Sequence, residues 1–504
     1  MGMKVVLACD LGGTSFRAAL VDAQGNTHAE AVIAGSIPVD PQGCSEFDAE
    51  IWWTNLVEAA DRLARTEPAL FDRIEGIAIC GFTRTQVLLN SAGQAIRPAI
   101  SWKDTRAGAV ATRLKAQLVH HPEAEHINAF HPLARLAWVA EQEPHHFRAL
   151  DGVLEPKDWL NFRLTGQRAS DPVSMARLSA CIEPAGGASP FQVVGIEPTV
   201  IPNTLDPCAQ VAAVQPGLPG ALGRLQGVPV FCASNDTWAG VTGLGAMRAG
   251  YAYNISGTTE VLGVVGPTAA TAEGLMSVDW CGLWQLGGPS QNGADTAAWL
   301  MSVLGGAERG FGGVAQGIEH LTTLPRHPQP ALFLPYLQGE RVPYWNPHLR
   351  GAFIGLERQH TSTDLAYAVL EGVAFLNRIV LERAETSLGQ PVGEIRLGGG
   401  ASSNPVWAQI KADICNRPVV VGHAKESGLL GAAIIAWTGT GIFPSLAAAQ
   451  DQLATVATRY EPRLARREAY DALFQLFKRS EAALAPISAG LVALSTDTDA
   501  LPGR

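Results

Sequence analysis

Charge is scarce in this sequence. Asp, Glu, Lys and Arg make up 17% of its 504 residues, against about a quarter in ordinary soluble domains. Hydrophobic residues reach 47%, which excludes a disordered chain and an acidic solvating tail, since neither has enough apolar surface to bury. Positive charge is scarcer still: 37 Lys and Arg stand against 47 Asp and Glu, a net of −10. A broad basic face for nucleic acid is therefore absent, and an anionic ligand would have to be held locally by backbone N–H groups, a few Arg or a metal. The eight cysteines form no C-x-x-C pair, which speaks against a disulfide frame or zinc site and for reduced thiols in a cytoplasmic protein. Long apolar runs are missing as well. The stretch Gly428 to Phe443 carries Gly and Thr and falls short of the ~18–20 residues a bilayer demands. The N-terminus has no basic region followed by an apolar stretch and a small-residue cleavage site. The expectation is a soluble protein with no membrane and no nucleic-acid partner. The chain also lacks G-x-x-x-x-G-K-[ST], and Gly12-Gly13 is no dinucleotide fingerprint, which argues against P-loop and Rossmann designs.

What is present is glycine, 53 residues of it, much of it placed where apolar runs end. Val5–Cys9 has β character and runs into Asp10-Leu-Gly-Gly-Thr-Ser15; Phe16–Val21 returns, and a third strand follows around His28–Ala34. Helical spacing covers Glu50–Arg65, then Ile74–Cys80 and Gln86–Leu89 read as strands. The second half echoes the first: Tyr251–Ile255, a Ser256-Gly-Thr-Thr259 turn, and Glu260–Val265. Two such units predict two similar domains, each offering an anion-binding turn to a shared cleft. Their boundary falls near Gly243–Gly250. Thr363–Leu388 is a long helix, and Glu394–Gly400 is a strand feeding a triple Gly and a helix over Ala401–Cys415, the build of a nucleotide platform. Beyond about Ser480 a frayed tail is expected. The length fits two to four domains.

These turns suggest chemistry. Backbone N–H groups of Asp10–Ser15, with Thr and Ser hydroxyls and Arg17 nearby, suit a phosphate, and Asp10 at a strand end suits a hard cation such as Mg²⁺. An ordinary hairpin turn uses the same residues; the echo at Ser256–Thr259 favours the functional reading. Asp236 follows the strand-like Val230-Phe-Cys where a helix would begin. It could cap that helix or accept a proton from a substrate hydroxyl as a general base. Lys157 and the Trp102-Lys-Asp-Thr-Arg106 run read individually as surface or packing residues.

Taken together, the pattern resembles the FGGY family of carbohydrate kinases, and the likeness runs from Val5 to about Ile442. Asp10–Arg17 resembles its first phosphate loop and Ser256–Thr259 its second. Leu154–Gly166 resembles its first signature. Gly351–Leu356 followed by Asp364–Gly372 resembles its second, and Gly398–Asn404 its adenosine segment. The resemblance implies an α/β fold of two actin/hexokinase-like (ribonuclease H-like) domains around a cleft: 1–245 for the sugar, the first phosphate loop and the catalytic Asp, 246–480 for adenosine, and a tail at 481–504. It implies an ATP-dependent sugar kinase in which Asp236 is the catalytic base. Thr14, Ser15, Arg17, Gly257 and Thr258 would touch the ATP phosphates, and Gly400, Ala401 and Asn404 would line the adenosine pocket. Asp10 and Asp236 would lie near Mg²⁺, and Thr83, Arg84 and Trp102 would meet the sugar. Where xylulokinases carry Gln-Met-His-Gly and glycerol kinases Gln-Arg-Glu-Thr, this chain has Phe82-Thr-Arg-Thr85. Arg84 either hydrogen-bonds the same hydroxyls or selects a more acidic substrate. The layout is closest to the pentulose kinases, so a ketopentose such as xylulose is expected. A polyol, sugar-acid or signalling-sugar kinase, and a nucleotide-gated non-catalytic relative, are the alternatives. A homodimer is a further expectation.

Overall fold

The computed structural model describes residues 2–305 and 313–496. The chain divides into two compact units: Met1–Gly243 with Glu426–Ala454, and Leu244–Lys425 with Thr455–Arg504.

The first unit is built on a six-stranded sheet ordered Gln210–Ala213, Pro229–Phe231, Ile74–Gly81, Val5–Leu11, Ser15–Asp22, Thr27–Ala34. Val5–Leu11 and Ile74–Gly81 are buried along nearly their whole length, as continuous apolar runs in a covered sheet must be. Thr27–Ala34, at the edge, alternates buried and exposed positions. The strands Val5–Leu11, Ile74–Gly81 and Pro229–Phe231 are mutually parallel, and the two on the meander side are antiparallel. The helix Ala49–Thr66 is capped by Asp48 and buries Trp52, Leu56, Ala59 and Leu63 against the sheet. A second apolar cluster, within 88–201, supports the loops that follow Ile74–Gly81.

The second unit repeats the scheme. Its sheet runs Met276–Asp279, Trp284–Pro289, Glu260–Gly266, Tyr251–Ser256, Glu394–Gly399, Val419–Gly422, Val456–Tyr460. Tyr251–Ser256, Glu394–Gly399 and Val419–Gly422 are parallel, with antiparallel strands on either side. Apart from one added edge strand, the order and senses match the first sheet, so the echo between the two halves extends from the turn to the whole topology.

Two expectations are corrected. Residues 426–454, assigned from the sequence to the second domain, pack in the first. The helix Ser427–Gly439 crosses Asp236–Gly243 at glycine contacts: a Cβ on Gly431 would lie 1.8 Å from the Ala239 carbonyl oxygen, and one on Gly243 would lie 1.9 Å from that of Ser427. The indole N–H of Trp437 then donates to the Asp22 carbonyl at 2.9 Å. Nor does the chain fray at Ser480. A helix spans Arg467–Thr496, anchored by Tyr470, Phe474 and Phe477 against Phe375; the Ala and Leu residues of its continuation favour the helix, which persists through Pro486.

Candidate functional site

The three parallel strands of the first unit end at one edge, the edge where open α/β sheets hold ligands. Asp10 stands near the end of Val5–Leu11, beside Cys80 in register. Asp236 opens the helix Asp236–Gly243 just after Pro229–Phe231, and Asn235 bridges to Gly81. Asp10 feels the charge of Asp236. Burial, then the Asp236 charge, pushes the Asp10 carboxyl up to about 7, against a hydrogen bond from Cys80 and the charge of Arg17. Burial also raises Asp236, opposed by the Thr237 amide, which donates to its Oδ1 at 2.6 Å. The next first-turn amide, that of Trp238, is met by Asn235 Oδ1 at 2.9 Å and not by Asp236.

Asp10 meets a partner that nothing in its local sequence announces. A Cβ on Gly428 would fall 2.2 Å from Asp10 Oδ2, so the first turn of Ser427–Gly439 lies against this carboxylate. The only sequence signal was the Gly beside Ser427.

The turn after Asp10 is a tight hairpin, with the Gly12 amide donating to the Ser15 carbonyl at 3.0 Å. Thr14 is exposed and Ser15 half-buried. Arg17 forms ion pairs with Glu30 at 3.1 Å and Glu426 at 3.2 Å.

Thr83, Arg84 and Trp102 come together. Arg84 takes a left-handed backbone conformation, φ 58°, which turns successive amides of the loop toward the buried Glu155. The Thr85 amide donates to Glu155 Oε2 at 3.0 Å, and the Arg84 amide contributes a second bond. Burial pushes Glu155 up to about 8 despite these bonds. The guanidinium of fully buried Arg135 donates to the Arg84 carbonyl. The Trp102 amide donates to Thr85 Oγ1 at 3.1 Å; the residue is 40% exposed, and the Lys103 ammonium lies over its ring, 5.4 Å from the centroid. Thr83 Oγ1 is buried with no hydrogen-bond partner.

In the second unit Ser256 pairs with Gly399, which sets the Ser256–Thr259 turn beside the triple Gly. Gly399 has φ 76°, and a Cβ there would meet the Ser256 carbonyl oxygen at 2.4 Å, so this close approach requires glycine. Gly257 and Thr258 are exposed, and their carbonyls accept the Ala294 and Asp295 amides. Gly400 and Ala401 belong to a 3₁₀ turn, and Asn404 caps Pro405–Cys415 through the Trp407 amide at 3.0 Å. Beneath this turn Lys411 Nζ pairs with Glu260 Oε1 at 2.8 Å, and Asn377 donates to Glu260 Oε2 at 2.6 Å, all three buried.

The sequence models of the FGGY family of carbohydrate kinases match residues 5–243 (N-terminal domain) and 252–439 (C-terminal domain). The chain belongs to this family. It is accordingly a sugar kinase, a phosphotransferase with an alcohol group as acceptor. A xylulose kinase of Bacillus subtilis (strain 168) is 27% identical over 496 residues, covering 94% of this chain and 96% of that one. A glycerol kinase of Dechloromonas aromatica (strain RCB) is 28% identical over 490 residues, covering 92% and 94%. Among solved structures, that of a xyloylose kinase from Brucella ovis superposes with a TM-score of 0.84 at 25% identity, covering 96% of this chain and all of that one. The FGGY kinase fold, two actin/hexokinase-like domains, is thus the fold of this chain. Among the described residues no helix is long and apolar enough to cross a membrane.

Proposed function

We propose that this FGGY kinase transfers the γ-phosphoryl group of ATP to a terminal primary hydroxyl of a small ketose, a ketopentose such as xylulose. The observation that supports this reading is the position of Asp236: it follows the strand Pro229–Phe231 at the edge where the parallel strands of the first sheet end, with Thr83 and Arg84 in the loop after the adjacent strand. In the proposed reaction Asp236 takes the proton of the acceptor hydroxyl, help worth ~10²–10⁴-fold. Its raised proton affinity makes it a stronger base once ionised. The exposed side chain of Trp102 supports the C–H side of the sugar, and Thr83 and Arg84 contact its hydroxyls. Within the second unit, Gly257, Thr258, Gly400, Ala401 and Asn404 are the residues proposed for the nucleotide; within the first, Thr14, Ser15 and Arg17 are those proposed for phosphate.

A hard divalent cation fits Asp10 and Asp236, two carboxylates at one edge of the sheet, the first of which is raised by burial and by the charge of the second in spite of Arg17. When bound, Mg²⁺ would neutralise charge on the phosphates during transfer.

A sugar-acid acceptor is the second reading, favoured by Arg84, since guanidinium groups pair well with carboxylates. A panel of ketoses, polyols and aldonic acids in a coupled ADP-release assay with MgATP decides. The highest kcat/KM is expected for a ketopentose. Turnover of acids alone, or of glycerol alone, overturns the assignment.

A further inference from the structure

Lys157 read from the sequence as a surface or packing residue. The structure buries it completely, together with Asp158 and Asp171. Its ammonium pairs with Asp171 Oδ2 at 2.9 Å and with Asp158, and lies 3.5 Å from the Cys232 carbonyl. Asp171 uses its other oxygen to cap the helix Pro172–Ser179, accepting the Val173 and Ser174 amides at 3.0 Å, and that same oxygen accepts Ser234 Oγ at 2.8 Å. Asn161, one turn beyond Lys157, donates to the Cys232 carbonyl at 3.1 Å.

All these contacts converge on residues 232–235, the loop that delivers Asp236. That loop carries Ala233 at φ 57°, a conformation that costs a non-glycine residue energy and persists only where its surroundings impose it. A buried ion pair adds little net stability over apolar packing. What this one supplies is a fixed, charged anchor two residues upstream of the candidate base.

We propose that Lys157, Asp171 and Ser234 form a positioning relay for Asp236: Lys157 fixes Asp171, Asp171 grips the Ser234 hydroxyl, and the loop is thereby held so that the Asp236 carboxylate meets the acceptor hydroxyl. None of the three touches the substrate. This rests on the reading of Asp236 as the base, and the test separates the two.

The experiment measures kcat and KM of the full-length enzyme with MgATP and its best acceptor for Ser234→Ala, Asp171→Asn, Asp236→Asn and Ser234→Ala/Asp236→Asn, with a melting curve for each. Misplacement of a catalytic group by about 1 Å costs on the order of 10²-fold, so kcat of folded Ser234→Ala is expected to fall by that order, with KM for the acceptor changed no more than about twofold. Asp171→Asn, which leaves an oxygen for the helix amides but no charge for Lys157, is expected to show the same split. Adding Ser234→Ala to Asp236→Asn should lower the residual rate no further. The relay is overturned by parental kcat in either folded single variant, by a loss confined to KM, or by a full additional loss in the Asp236→Asn background. Undiminished turnover by Asp236→Asn sinks the base assignment itself, whatever Ser234→Ala does.

Discussion

Asn235 Oδ1 accepts the Trp238 amide at 2.9 Å, while Asp236 Oδ1 accepts the Thr237 amide at 2.6 Å. The two neighbouring side chains thus share the orphan amides of the helix start, and an Asn at 236 would keep an oxygen for its share. Asp236→Asn should therefore leave the helix intact and lower kcat by ~10²–10⁴-fold, with ATP affinity retained. Steady-state kinetics paired with calorimetric titration of ATP check both halves. A lost melting transition would mean that the carboxylate serves the fold instead.

The glycine crossing of the first unit leaves no room for a side chain. Gly431→Ala places its Cβ 1.8 Å from a backbone oxygen, which only a shift of one helix can relieve. A cost of about 1–3 kcal/mol is expected, as for other overpacked sites. Gly187→Ala, where nothing lies within 4 Å, is the control and should melt near the parent temperature.

Glu155 gives the stability a pH dependence of known sign. Burial lifts its carboxyl from the ordinary 4.5 to about 8, so between these values the folded protein holds a proton that the unfolded chain releases. Stability attributable to this group is full below about 4.5 and declines as pH rises toward 8, by at most about 1.4 kcal/mol per pH unit. Glu155→Gln should flatten that decline in urea unfolding series run from pH 5 to 8. A parallel slope in parent and variant would show that Glu155 is ionised in the fold.

Lys411 and Glu260 form the buried pair under the second turn. Lys411→Met leaves Glu260 uncompensated and should cost about 3–5 kcal/mol. Adding Glu260→Gln removes the stranded charge, so the double variant should recover part of the loss in the same denaturation assay.

Much of this architecture was readable in advance because it is local. Val5–Cys9, Ile74–Cys80, Tyr251–Ile255 and Glu260–Val265 were placed within two residues of the observed strands, and Glu50–Arg65 and Thr363–Leu388 lie inside helices Ala49–Thr66 and Ser362–Leu388. Apolar runs ended by Gly and hydroxyl residues carry their own boundaries. The match between the two meanders was legible for the same reason. What escaped was non-local. Nothing around Lys157 announces that Asp171, fourteen residues on, will bury it. Nor does 426–454 carry a mark of its return to the first sheet, since the contacts that decide it join Gly431 to Ala239 and Trp437 to Asp22. At the site, the types and strand-end positions of Asp10 and Asp236 could be read from the chain, but the influence of Asp236 on Asp10 and the capping by Asn235 could not.

The return of residues 426–454 to the first unit also orders events during synthesis. A nascent polypeptide that has emerged only as far as Gly243 has its central sheet but lacks the helix that covers Asp10 and crosses Asp236–Gly243. That half cannot be finished until the ribosome has translated the whole of 244–425. The first unit to begin folding is thus obliged to wait, its apolar flank uncovered, for a segment encoded beyond most of the second.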